Sequence, residues 1–336
     1  MKTVTAVFFF GRLHRLNQSC LTRAGMFALM AVLTCLLLFQ LIPSSHPSEI
    51  VVQQEGESSY TQVYLKEEEG LIVPLSIETG EARDSAERIQ FMSGVLAGKQ
   101  PIEGFQAFYA GEEILNTVSI QDGIATLDFH AAFSDYDERD ELRLLEAIVW
   151  GVTQFEDVDG VILQVEGQQL TEMPKRHTPL NMPLTREIGI NQFESSASAL
   201  HDSEAVLVYG TKKIDGATYL IPRSRRVGQE DTETLQDQVQ AVIASLSLSS
   251  TLDSSMEEND AAYLGMEEDV LLLRVGAGIY GSDRTLKQDE VNELVLSLCA
   301  LDEVSGICLL QEEDGVMSRD ADVLRADQLI YNIVTF

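Results

Sequence analysis

The sequence is poor in the side chains that usually do chemistry. Its 336 residues hold five histidines, four cysteines and one tryptophan. The histidines (His14, His46, His130, His177 and His201) never fall at a helix or turn spacing that chelates a metal. No G-x-S-x-G elbow is present to present a nucleophilic serine. Cations are scarce too: 23 Lys and Arg stand against 54 Asp and Glu, a net charge of −31. Such a field repels phosphates and anionic headgroups, so nucleic acid is not an expected partner, and solubility or a basic protein surface is. Four of the few cations, Lys2, Arg12, Arg15 and Arg23, precede the first acidic residue, Glu49, which leaves the rest of the chain more acidic still.

Those leading cations sit before residues 24–43, AGMFALMAVLTCLLLFQLIP, which carry no charge. About 19 apolar residues suffice to cross the hydrocarbon core of a bilayer as one helix. The arginines on its N-terminal side orient it by the positive-inside rule. The expected layout is a cytoplasmic segment at 1–23, a single-pass anchor at 24–43, a polar tether at 44–59 and an extracytoplasmic bulk. Cys35 in VLTC has the general shape of a lipid-modified cysteine, but Thr34 fits poorly and the apolar run continues past it, so a plain membrane-helix cysteine is expected. Cys20 is expected to be cytosolic or interfacial.

What the chain does have is a repeat. Shifted by 146 positions, LRLLEAIVWGVTQFEDVDGVILQVEG falls on VNELVLSLCALDEVSGICLLQEED, with Leu145 over Val291, Ile148 over Leu294, Val149 over Val295, Val152 over Leu298 and Phe155 over Leu301. This is the stripe of a helix with one buried face, and Glu146 and Glu293 are expected off it, in water. The alternation at Val161, Leu163 and Val165, and at Ile307 and Leu309, is that of a strand. Upstream, two apolar runs flank KEEEG as a hairpin, and AVLVYGTKKIDGATYLIPRS repeats them, with Tyr64 over Tyr209 and Pro74 over Pro222. Asp122-Gly123 between alternating runs signals a second hairpin. Each repeat therefore reads β-β-α-β-β-α-β. The expected domains are 60–190 and 203–336, joined by a linker at 191–202, with a mobile loop at 247–261 and a C-terminal tail docked on the second domain.

Several local patterns invite a chemical reading. Gly276-x-Gly278-x-x-Gly281 follows an apolar run as a dinucleotide loop does, but the next helical stripe starts only near Val291 and the first repeat has DFHAAF there. Asp128, His130 and Asp135 have no counterpart in the second repeat and read as a solvated strand end. The acidic run DYDERDE at 135–141 lacks the glycine and terminal glutamate of a calcium loop, and suits the first turn of the following helix. Cys299 and Cys308 take the places of Thr153 and Ile162 and read as small buried hydrophobes, with no bond between them implied by spacing. No catalytic, cofactor-binding or metal-binding residue is assigned.

The stretches IQDGIATLDFHAAF, LRLLEAIVWGVTQFEDVDGVILQVEGQ and PLTRE resemble the GerMN domain family over residues 60–190, and residues 203–330 look like a second, eroded copy. The resemblance implies two tandem α/β (α+β) units similar to the ring-building modules of secretion systems. It also implies a non-catalytic scaffold or assembly factor of sporulation, supporting the channel between mother cell and forespore. The expected partners are the membrane and extracytoplasmic proteins such as channel components, with no nucleic acid, small-molecule substrate or cofactor. An extracytoplasmic regulator or cell-wall-associated module, for instance a partner of a sensor kinase, is the alternative.

Overall fold

The computed structural model describes residues 51–52, 60–80, 84–111, 113–192, 203–248, 256–257, 259–282, 285–313, 316–319 and 322–335. The expected anchor, tether, Cys20 and Cys35 lie outside the described residues, as do most of the expected linker and much of the loop at 247–261. Among the described residues no helix is long and apolar enough to cross a membrane.

In chain order the elements are β1 (Val51–Val52), β2 (Tyr60–Lys66), β3 (Ile72–Glu78), α1 (Ser85–Leu96), β4 (Leu115–Gln121), β5 (Ile124–Phe129), α2 (Glu141–Val152), β6 (Gly160–Val165) and β7 (Gln168–Gln169). The second repeat follows with β8 (Ser203–Ile214), β9 (Ala217–Gly228), α3 (Leu235–Ser247), β10 (Ala261–Glu267), β11 (Val270–Val275), α4 (Gln288–Leu298), β12 (Gly306–Glu313), β13 (Val316–Arg319), β14 (Leu329–Ile330) and β15 (Ile333–Val334). Leaving aside β1 and the short closing strands, both halves run β-β-α-β-β-α-β.

The 146-residue register survives into three dimensions. Ile124 pairs with Gly160 and Ala125 with Val161 across the parallel β5–β6 ladder, and Val270 pairs with Gly306 and Leu271 with Ile307 across β11–β12. Tyr64 lies opposite Pro74 in the first hairpin and Tyr209 opposite Pro222 in the second. Each parallel pair needs a crossover, which α2 and α4 supply. The stripes bury as their spacing requires: Ile148, Val149 and Val152 in one core, Leu294, Val295 and Leu298 in the other. Asp122 and Gly123 both have positive φ, 50° and 77°, which is what a two-residue turn between right-twisted strands needs. Helix starts are chemically marked: Asp84 accepts from the Glu87 N–H, and Thr234 and Asp237 form a reciprocal capping box.

Three expectations fail, for related reasons. Glu146 and Glu293 are not solvated; they are fully buried. Each helix lies between its sheet and the hairpin of its own repeat, α2 against β2 and β3 as well as β6, and α4 against β8 as well as β12, so these two glutamates face protein and not water. Glu146 is held by Arg143 at 2.7 Å, and Glu293 accepts from the Thr211 N–H and hydroxyl at 2.9 and 3.1 Å. The tail does not dock on the second repeat alone. Tyr331 packs there against Tyr209, but β15 crosses over and pairs with Ser76 and Ile77 of β3. Finally Asn191, expected to open the linker, is fully buried at the seam between the repeats.

Candidate functional site

Two open clefts border the KEEEG turn of the first repeat. β2 ends at Lys66, whose carbonyl accepts from the Gln106 N–H at 2.7 Å, so the segment that follows α1 is stitched to the strand end. Tyr109 on that segment donates to the Phe133 carbonyl at 3.0 Å and ties it to the turn preceding α2. An open cleft of about 640 Å³ results, walled by Glu68, Tyr109, Asp135, Asp137 and Arg139. A neighbouring cleft of about 400 Å³ shares Glu68 and Glu69 and has Lys212 and Asp215 of the second repeat on its far wall.

The electrostatics of this region are acidic and ordered. Lys66 pairs with Asp140 at 2.5 Å and Arg139 with Asp137 at 2.7 Å. The Arg139 guanidinium, together with its N–H, holds the Asp137 carboxyl well below the usual range. Glu68 and Asp135 are exposed and have no partner among the described residues, so the cleft remains negative. Glu67 points the other way. Its carboxylate is buried, accepts from the N–H groups of Glu69 and Leu71 at 2.9 and 2.8 Å, and receives the Lys212 ammonium at 3.2 Å. Lys212 also reaches Glu69 at 2.7 Å, and this hydrogen bond lowers the Glu69 pKa.

Behind the cleft, Glu141 organises the segment 175–178. One oxygen accepts from the Tyr136 hydroxyl at 2.6 Å and from the N–H groups of Lys175 and Arg176 at 2.9 and 2.7 Å; the other accepts from the Thr178 hydroxyl and N–H at 2.6 and 3.2 Å. Burial pushes its pKa up, but the hydrogen bonds from Thr178, Tyr136 and the backbone prevail and bring it to about 2. The acidic run at 135–141 serves the helix start only in part: Asp137 accepts from the Arg139 N–H at 2.9 Å in the 3-10 turn Glu138–Asp140 that leads into α2. Asp140, at the N-cap of α2, makes no capping hydrogen bond and is turned toward Lys66, while Glu141 is spent on a distant loop.

The other chemical-looking patterns disperse. Asp128 accepts from the Gly167 N–H and Asn116, whereas His130 lies 4.0 Å from Glu166, so aspartate and histidine do not face each other. At Gly278 an added Cβ would come within 2.0 Å of an Asp260 oxygen. A carboxylate thus occupies the space beside the glycines, and α4 begins only at Gln288. Cys308 is buried and Cys299 half-buried, both as free thiols, and burial pushes the Cys299 thiol up to about 11. Among the described residues no three metal-ligating side chains converge. What this arrangement offers is an open, charged surface with ordered hydrogen-bonding walls. The inward-turned Glu67 and Glu141 left no signal in the sequence beyond their place in acidic runs.

With the geometry in view, the sequence model of the family described as Germane, sporulation and spore germination, matches residues 62–171. Over that segment the chain is similar to the GerMN domain family. It is 23 % identical over 264 residues to the spore germination protein GerM of Bacillus subtilis (strain 168), covering 76 % of this chain and 72 % of that protein. The solved tandem GerMN domains of the sporulation protein GerM from Bacillus subtilis superpose with a TM-score of 0.68 at 22 % identity, covering 81 % of this chain and 99 % of that one. That likeness shows the fold: a mixed α/β architecture that matches the tandem GerMN domains of that protein.

Proposed function

We propose that the chain is a non-catalytic scaffold of sporulation, anchored in the membrane by residues 24–43 with its bulk outside, that helps assemble the complex between mother cell and forespore. The observation that carries this reading is the relation to a spore germination protein along 76 % of the chain. The acidic cleft around Glu68, Glu69 and Asp135 supports it, since such a surface fits a basic protein patch and offers no nucleophile beside a base. The first repeat is the one that makes the principal contact.

The test is copurification from sporulating cells of the full chain carrying Glu68→Lys and Asp135→Lys, against the unaltered chain, with washes at low and high salt. Channel components should be retained by the unaltered chain, released by salt, and lost from the variant. Retention of a sensor kinase in place of channel components would favour an extracytoplasmic regulator. Retention unaffected by either charge reversal or salt would remove the cleft from the mechanism.

A further inference from the structure

Two asparagines close the seam between the repeats, and they occupy matching places. Asn191 follows the 3-10 turn Arg186–Ile188 and Asn332 follows the 3-10 turn Ala326–Gln328. Both have positive φ, 45° and 53°, and both are buried. Asparagine tolerates that conformation better than most residues, and its carboxamide carries one acceptor and two donor hydrogens, the complement of a peptide group.

Each carboxamide plays the part of a missing neighbouring strand. Asn191 Oδ1 accepts from the Ile72 N–H at 2.7 Å while Nδ2 donates to the Ile72 carbonyl at 2.7 Å. Asn332 Oδ1 accepts from the Leu220 N–H at 2.9 Å while Nδ2 donates to the Leu220 carbonyl at 2.7 Å. Ile72 and Leu220 are equivalent, each two residues before the matched prolines of β3 and β9. The second donor hydrogen then crosses the seam: Asn191 donates to Pro222 O at 2.9 Å in the second repeat, and Asn332 donates to Pro74 O at 2.7 Å in the first. Even the main chain is exchanged. The Asn332 carbonyl accepts from the Ser76 N–H at 2.9 Å, and the Asn191 carbonyl faces Arg223 Nε at 3.4 Å.

The prolines explain why side chains are needed. Pro74 and Pro222 have no N–H, so the two strands cannot complete a ladder with each other, and their carbonyls would be orphaned in a dry seam. We infer that Asn191 and Asn332 form one reciprocal lock that makes the two repeats a single rigid body, opening together or not at all. This goes beyond the scaffold reading, because a scaffold of two loosely tethered domains would serve equally well, and it holds or fails whatever the partner is.

Amide hydrogen exchange on the full chain tests it. In the unaltered protein the Ile72 and Leu220 amides, which end on different asparagines, should exchange with the same opening constant and the same denaturant dependence. Glycine accepts positive φ, so Asn191→Gly and Asn332→Gly remove the carboxamides without straining the backbone. Asn191→Gly should speed exchange at Ile72 at least tenfold and also at Leu220 in the opposite repeat, while Leu127 and Leu273 deep in the two sheets stay protected. Asn332→Gly should do the reverse with the same reach. Acceleration confined to the repeat that carries the substitution overturns the lock. If a variant loses protection at Leu127 or Leu273 and so unfolds globally, the unaltered protein decides: matched openings at Ile72 and Leu220 sustain the lock and unmatched ones overturn it.

Discussion

Replacing Glu141 by glutamine should cost the fold most of the stability that this one carboxylate supplies, and the loss should depend on pH. The group ordinarily titrates near 4.5 and is brought to about 2 in the fold. At ~1.4 kcal/mol per pH unit the difference corresponds to about 3 kcal/mol favouring the folded state when the carboxylate is ionised. The sign follows from proton counting. Because the folded pKa is the lower one, the unfolded chain binds more protons between the two values. The stabilisation is therefore complete above about pH 5 and is lost as pH falls through about 2. Glutamine offers one acceptor oxygen and a donor –NH2 where the native carboxylate accepts three N–H groups, so whichever way the amide is turned at least one donor is left facing a donor.

Urea unfolding of the full chain at pH 7, 5 and 2.5 measures both effects. Glu141→Gln should be less stable by about 2–4 kcal/mol at pH 7. The gap should shrink to within about 1 kcal/mol at pH 2.5, where the native carboxylate has lost most of its advantage. Thr178→Val, which deletes only the hydroxyl donor, should cost about 1 kcal/mol at pH 7 as a graded control. A gap that stays constant with pH, or one below about 1 kcal/mol at pH 7, would show that the hydrogen-bonded carboxylate is not what holds segment 175–178.

Lys212→Met should destabilise the chain by roughly 1–3 kcal/mol, because it leaves Glu67 buried without its cation, and thermal melting with Glu67→Gln as the second member of a double-mutant cycle reads the coupling. Deleting residues 333–336 should uncover the β3 edge at Ser76 and Ile77 and raise the aggregation rate seen by light scattering, whereas unchanged scattering would mean that β15 protects nothing. Protease added to intact protoplasts should degrade residues 60–336, and their protection would reverse the proposed topology. Calorimetry with NAD, NADP or ATP should show no binding, and micromolar heat would require a site other than a fingerprint closed by Asp260.

Much of the architecture was legible because apolar periodicity is a local record of a core. The shift that laid Leu145 on Val291 also placed Ile124 opposite Gly160 and Val270 opposite Gly306, since a parallel ladder inherits its register from the crossover that precedes it. Asp122-Gly123 announced its turn for the equally local reason that both residues had to reach positive φ. What periodicity does not record is a polar group turned inward by a distant segment. Glu146 looked solvated because its near neighbours left one side of α2 polar, and it is buried because Arg143 and the Asn191 N–H, 45 residues away, meet it. Glu141 hid in an acidic run for the same reason, and Asn191 hid in a polar, proline-containing stretch that reads as a linker. The candidate cleft was visible only as charge. Its walls come from three segments, and no short-range pattern brings KEEEG beside Tyr109 and Asp135.

The two copies have diverged unevenly, and the unevenness follows the physics. Residues that close the seam are matched: Tyr64 and Tyr209, Pro74 and Pro222, Asn191 and Asn332. A change on one side of that seam strands a buried carbonyl or amide on the other, at a cost of about 1–3 kcal/mol each, so such positions resist independent drift. The hairpin turns, by contrast, do not match. The first carries the acidic Glu67–Gly70 stretch that walls the cleft, while the second is a tight Asp215-Gly216 turn. The second repeat still reaches that cleft, through Lys212, which neutralises Glu67 and orients Glu69. The first repeat thus supplies the walls of the larger cleft and the second braces its acidic turn through Lys212. A substitution in the second repeat that disturbs binding should therefore do so through Lys212 or the asparagine lock, whereas changes on the outer face of its β10–β13 sheet should leave the cleft unaffected.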